Sequence, residues 1–183
     1  MWDKKLLITT INNNDNNNQS LYVTYFLTCV VPVLEYGAFV YAGISKRNGA
    51  IIEKIQLLFT RQLFRRIFNR SPAPCYAERL KLFSLERLST RILKRNMITM
   101  YKIKIGLIRT RSLNLRYSTH HTNRFLIPST SSALFRNSFV IRHQIIWNKY
   151  IGDRTFNSVP SLRKFLEGLS FDWTYIFVDC SRF

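Results

Sequence analysis

Hydrophobic residues along this chain gather in runs with helical spacing, separated by short polar breaks. After a short apolar start at Leu6 to Ile11, the first long run, residues 21–43, is rich in Leu, Val, Tyr and Phe, with Glu35 as its single charge and Pro32 near its middle. Ser20 is placed to cap a first helix, and Pro32 to kink or end it and start a second, which predicts a kinked apolar helical hairpin. Residues 50–68 predict a strong helix. At the helical repeat Ile51, Ile55, Leu58 and Phe59 share one side, with Ile52 and Leu63 at its edge, while Lys54, Arg61 and Arg65 fall in a narrow strip. Leu57, Phe64 and Phe68 make much of the remaining surface apolar, so this helix should be mostly enclosed with one basic ridge showing.

Ser71-Pro72-Ala73-Pro74 breaks the pattern. A short helix is expected over 75–83, and Ser84 can cap a longer one from Leu85 to about Ile105, ended by Gly106. Leu85, Leu88, Ile92, Met100 and Ile103 line one side of the longer helix. Arg87, Arg91, Lys94, Arg95 and Lys102 occupy an arc of roughly 100° on the other, interrupted by Ile98. Residues 107–137 read as an irregular connection, broken by Pro128, with short strands around 112–117 and 124–127. Helical spacing returns over 138–150 through Phe139, Arg142, Ile146 and Trp147. Ser158 then caps a last helix over 159–169, with Pro160 in its first turn and Leu162, Phe165, Leu166 and Leu169 on its apolar face.

The organisation predicted is an unstructured Asn-rich segment (1–20), a helical bundle (21–106), the connection (107–137), closing helices (138–169) and an unassigned aromatic tail (170–183). The expected fold class is mainly α, a helical bundle with a loop-rich connection.

Composition adds a strong charge. The chain has 183 residues, 46% of them hydrophobic, enough for a core and too many for wholesale disorder. Lys and Arg number 28 against 10 Asp and Glu, a formal net charge of +18. Eighteen of the cations lie between Ser45 and Arg116 with only Glu53, Glu78 and Glu86 against them, so that stretch alone carries +15. Attraction to phosphates is independent of sequence and steep in salt, and a belt this dense reads first as a nucleic-acid footprint. A solvated helix surface and an anionic membrane surface are the competing readings. The three cysteines are odd in number and far apart, which fits a reducing compartment, and no secretory signal is read at the start. The expected location is the nucleus or cytoplasm.

Candidate chemistry is sparse. The ten acids are scattered singly, so no pair for proton transfer is suggested. The chain has no Walker-type phosphate loop, no Gly-x-Ser-x-Gly elbow and no His-Glu-x-x-His pair. Cys29, Cys75, Cys180, His120, His121 and His143 show no zinc-finger spacing and single out no nucleophile, so no metal and no cofactor are expected.

A family resemblance joins these pieces. Residues 25–37, Tyr-Phe-Leu-Thr-Cys-Val-Val-Pro-Val-Leu-Glu-Tyr-Gly, resemble the "LVxPxLEYG" segment that follows the palm in non-LTR retrotransposon (LINE-type, jockey-like) reverse transcriptases. Ile52-Glu53-Lys54-Ile55-Gln56 resembles that family's "IExVQ", with Phe59-Thr60-Arg61 close behind, and Tyr76-Ala77-Glu78-Arg79-Leu80 resembles its "YxERL". Leu85-Glu86-Arg87-Leu88 and Tyr101-Lys102-Ile103 are similar to the next helix. Phe135 to Phe139, Arg142 and Trp147-Asn148 resemble an "F…R…WN" box, and Ser161 to Leu166 a closing helix. The resemblance covers about residues 21–169. It departs at Lys149-Tyr150, where the family usually has Leu-Pro.

The resemblance implies the thumb and post-palm region of a reverse transcriptase, without the palm sheet or its paired aspartates. Phe177-Val178-Asp179-Cys180 mimics the polymerase motif but offers one carboxylate where a two-metal site needs at least two. The expected activity is therefore non-catalytic: binding template RNA or an RNA–DNA hybrid through Lys54, Arg61, Arg65, Arg87, Arg91, Lys94, Arg95 and Lys102. Two alternatives stand beside it. One is an interaction-only remnant that awaits a palm domain, and the other is a basic membrane protein that uses 21–43 as a span.

Overall fold

The computed structural model describes residues 13–37, 46–69, 72–109, 115–118, 123–129, 132, 135, 138–169 and 171. The fold is mainly helical, with no strand or sheet among the described residues. In chain order the elements are α1 (Asn13–Tyr25), a π-helical segment (Phe26–Val30), α2 (Val31–Tyr36), α3 (Lys46–Phe68), α4 (Tyr76–Leu82), α5 (Leu88–Lys104), α6 (Phe139–Tyr150) and α7 (Val159–Glu167). They divide into two compact units, the first from residues 13–36 and 52–88 and the second from the remainder.

In the first unit, Leu63, Phe64, Leu80, Phe83 and Leu85 form the core, with Tyr22, Val23, Leu27, Phe59 and Ile67 packed against it. Phe26 stacks on Phe59 with ring centroids 4.0 Å apart. The Asn-rich segment is helical from Asn13, so Ser20 lies inside a helix and caps nothing. Asparagine is a poor helix former, but extending an existing helix costs far less than starting one.

Pro32 is expected to kink or end the first helix and start a second; α1 ends earlier, at Tyr25, and the chain runs on through the π-helical segment into α2, which contains Pro32. Proline removes a donor and collides with the carbonyl four residues earlier. The π-helical turn just before it widens the backbone at that point, with the Val31 N–H bonding the carbonyl of Phe26. The remainder of the expected hairpin, 38–43, lies outside the described residues. Glu35, the run's one charge, is buried.

Ser84 does not cap the longer helix. Its φ of +52° and the bonds Ser84 N–H to Lys81 O (3.3 Å) and Leu85 N–H to Leu80 O (2.8 Å) close α4 in a Schellman turn. Ser84 thus ends one helix rather than capping the next, and α5 begins at Leu88.

In the second unit α5, α6 and α7 surround Leu93, Met97, Met100, Tyr101, Ile146, Trp147, Leu162 and Leu166, with Phe125 and Phe171 closing the cluster. The strands expected near 112–117 and 124–127 reduce, in the described residues, to one antiparallel bridge between Tyr117 and Phe125. Trp147 donates Nε1–H to Asn123 O at 3.1 Å. Asn148 accepts from the Phe125 N–H at 2.9 Å and donates to its carbonyl at 2.8 Å, serving that residue as a neighbouring strand would. The last helix is as expected: the Ser158 hydroxyl accepts from Ser161 N–H, Pro160 sits in the first turn, and Leu162 and Leu166 are buried. The aromatic tail beyond Phe171 lies outside the described residues.

Candidate nucleic-acid interface

The buried side of α3 is not the one its aliphatic residues suggest. Gln56, Thr60, Leu63 and Phe64 are sealed inside, whereas Ile51, Ile55 and Leu58 are exposed. Polar groups at the centre of that face explain the difference. Gln56 donates to Glu86 O at 2.8 Å and Thr60 to Leu57 O at 3.1 Å, so neither amide nor hydroxyl is left without a partner when buried. Arg79, also buried, donates Nε–H to Thr60 at 3.3 Å and Nη groups to the carbonyls of Pro74 and Leu57. Burial, and then the charge of Arg61, lower its pKa. Tyr76 completes the connection by donating to Glu53 at 2.6 Å. Burial and then this hydrogen bond raise the tyrosine's pKa, because its anion would face a carboxylate.

These polar ties fix the orientation of α3 against α4. They leave Lys54, Arg61 and Arg65 exposed along one strip. From Lys54 to Arg65 is eleven residues, about 16 Å of helix at about 1.5 Å per residue. Arg87 is exposed in the turn before α5, so it does not belong to the helical arc in which the sequence placed it.

In the second unit Arg91, Lys94, Arg95 and Lys102 do share an arc of α5. Arg95 is exposed and the other three are half-buried. Arg91, Lys94 and Arg95 also engage partners within the protein.

The fold uses three cations internally, of which spacing marks only Arg142, among the key positions of 138–150. Lys104 lies over the rings of Tyr117, Phe125 and Trp147 at 5.6, 5.8 and 5.4 Å and donates to Asn123 Oδ1, and burial lowers its pKa. Its position on the α5 wheel beside Met97 and Met100 was the available signal. Arg142 is buried, which brings its pKa down to about 10. Arg79 is the other; it and Arg142 stand in the "YxERL" and "F…R…WN" segments. Arg124 is paired with Asp153 at 3.2 Å.

Among the described residues no group of acids, cysteines and histidines could hold a metal ion. Nor is any helix there long and apolar enough to cross a membrane. No protein-family model, curated protein or solved structure matches the chain.

Proposed function

We propose that this chain binds the sugar-phosphate backbone of template RNA or an RNA–DNA hybrid and carries out no catalysis itself, in keeping with its resemblance to the thumb and post-palm region of non-LTR reverse transcriptases. One observation carries the reading: Lys54, Arg61 and Arg65 share an exposed strip about 16 Å long on a helix held in place by buried polar ties. At about 3.4 Å per nucleotide along a strand, that length faces about five phosphates. Arg87 and the arc of Arg91, Lys94, Arg95 and Lys102 supply further cations. Such groups position a polyanion and read little of its sequence.

The test is the salt dependence of binding to a labelled RNA–DNA hybrid. Changing Lys54, Arg61 and Arg65 together to Gln should reduce the slope of log K against log[salt] by about 2–3, since each phosphate released contributes about 0.7–0.9. The same treatment of Arg87, Arg95 and Lys102 should act in the same direction. An unchanged slope in both variants, or a folded wild type that ignores oligonucleotides in dilute buffer, overturns the proposal.

A second reading rests on a different surface of the first unit. Leu21, Tyr25, Val33 and Tyr36 are 65, 64, 73 and 85% exposed along α1 and α2. An uncovered apolar face of this kind suits the interaction-only reading, in which a palm domain supplied by another chain covers it. Co-expression with a palm fragment should then raise solubility, and no gain would count against it.

A further inference from the structure

The second unit contains a groove of about 930 Å³ that the basic strips do not explain. Its walls include Leu126, Ile127, Phe135 and Phe139, and among the described residues Arg116 is the one charged residue lining it. Gln144 also lines the groove. It is 3% exposed, and its Oε1 has no hydrogen-bond partner. A buried acceptor without a donor is a standing cost that an entering N–H group relieves. The terminal torsion of glutamine is broad, so the amide can turn to meet such a group.

We infer that this groove takes an unpaired nucleobase of a single-stranded nucleic acid, with Gln144 hydrogen-bonded to the base edge, Phe135 and Phe139 against its faces and Arg116 toward the neighbouring phosphate. The inference rests on the nucleic-acid reading above and adds a site for single strands to it. Three features select this occupant over an apolar peptide. The aromatic lining suits a flat ring, and a side-chain amide offers a donor and an acceptor side by side, matching the paired groups on a base edge. The cation on the lining complements a phosphate, in a chain whose net charge of +18 already draws polyanions. Arg116 is held in place by its backbone, whose carbonyl accepts from Leu126 N–H at 2.8 Å.

The test compares three fluorescent probes with the full chain: deca-uridylate, an abasic strand of the same length and charge, and an RNA–DNA hybrid. Deca-uridylate should bind about 3- to 10-fold tighter than the abasic strand, the worth of about one buried hydrogen bond. Gln144→Met should remove that advantage while leaving hybrid binding unchanged. Should this variant fail to fold by circular dichroism, Phe135→Ala replaces it. Phe135 is 48% exposed, so its loss spares the core and should weaken deca-uridylate binding alone.

Equal affinity for deca-uridylate and the abasic strand, with hybrid binding intact, overturns the base site and leaves the basic strips standing. An advantage that survives in Gln144→Met overturns it as well. Failure of all three probes to bind removes the underlying nucleic-acid reading and the base site with it. Release of a groove-bound apolar dye by a hydrophobic hexapeptide but not by deca-uridylate overturns the site in favour of a peptide.

Discussion

His143 should make the stability of this protein fall steeply as the solution is acidified. The imidazole is 1% exposed, lies against the Phe139 ring at 4.3 Å and hydrogen-bonds through Nδ1 to Phe139 O at 2.6 Å. Burial, and then the adjacent Arg142 charge, push its pKa down to about 3 from the 6.5 of a free side chain. The folded state therefore holds the neutral ring, while the unfolded chain takes up a proton as pH falls through about 6.5. The stabilisation is complete above that value and is lost between about 6.5 and 3, at about 1.4 kcal/mol per pH unit. Integrated from pH 7 to pH 5, this amounts to about 2 kcal/mol. Urea denaturation followed by circular dichroism measures the loss. His143→Asn keeps a side-chain donor but has no proton to gain, so its stability should drop by about 2 kcal/mol less over the same interval. Parallel losses in the two proteins, or a folded-state imidazole titrating near 6.5 by NMR, would contradict a buried neutral ring.

Other consequences are equally direct. Asn148→Ala removes both partners of the Phe125 backbone and should cost about 2–4 kcal/mol in urea denaturation, with loss of amide-exchange protection at Phe125. Ser84→Gly should stabilise the protein by about 0.5–1 kcal/mol, because glycine relieves a left-handed backbone at the Schellman turn and the serine side chain is exposed. A lower melting temperature for Ser84→Gly would contradict that account.

The helical class and the course of the closing helix were legible because Leu162, Phe165, Leu166 and Leu169 announce their face by apolar spacing alone. The face of α3 was not. Its buried centre is Gln56 and Thr60, and their partners are carbonyls supplied by Glu86, thirty residues away, and by the helix itself. Periodicity weighs hydrophobicity and cannot register a polar side chain that is buried because a distant backbone satisfies it. The same limit hid Arg79, Lys104 and Asn123. Asn123 donates to Asp153 O and Arg154 O, carbonyls about thirty residues further on. Ser84 misled for another reason: serine suits a helix start, but here the αL turn after Phe83 claimed it first. Of the basic residues, Lys54, Arg61 and Arg65 are exposed on the strip where spacing placed them, whereas Arg87 fell outside α5 once that helix began at Leu88.

The widened turn at Phe26–Val30 and the imino acid at position 32 are two halves of one device. Remove a residue from that turn and the backbone tightens to an ordinary helix, driving the pyrrolidine ring into the carbonyl four residues before it. Shortening here would therefore be tolerated only where position 32 had already become something other than proline, so the two changes should travel together in any lineage that keeps this stretch helical throughout.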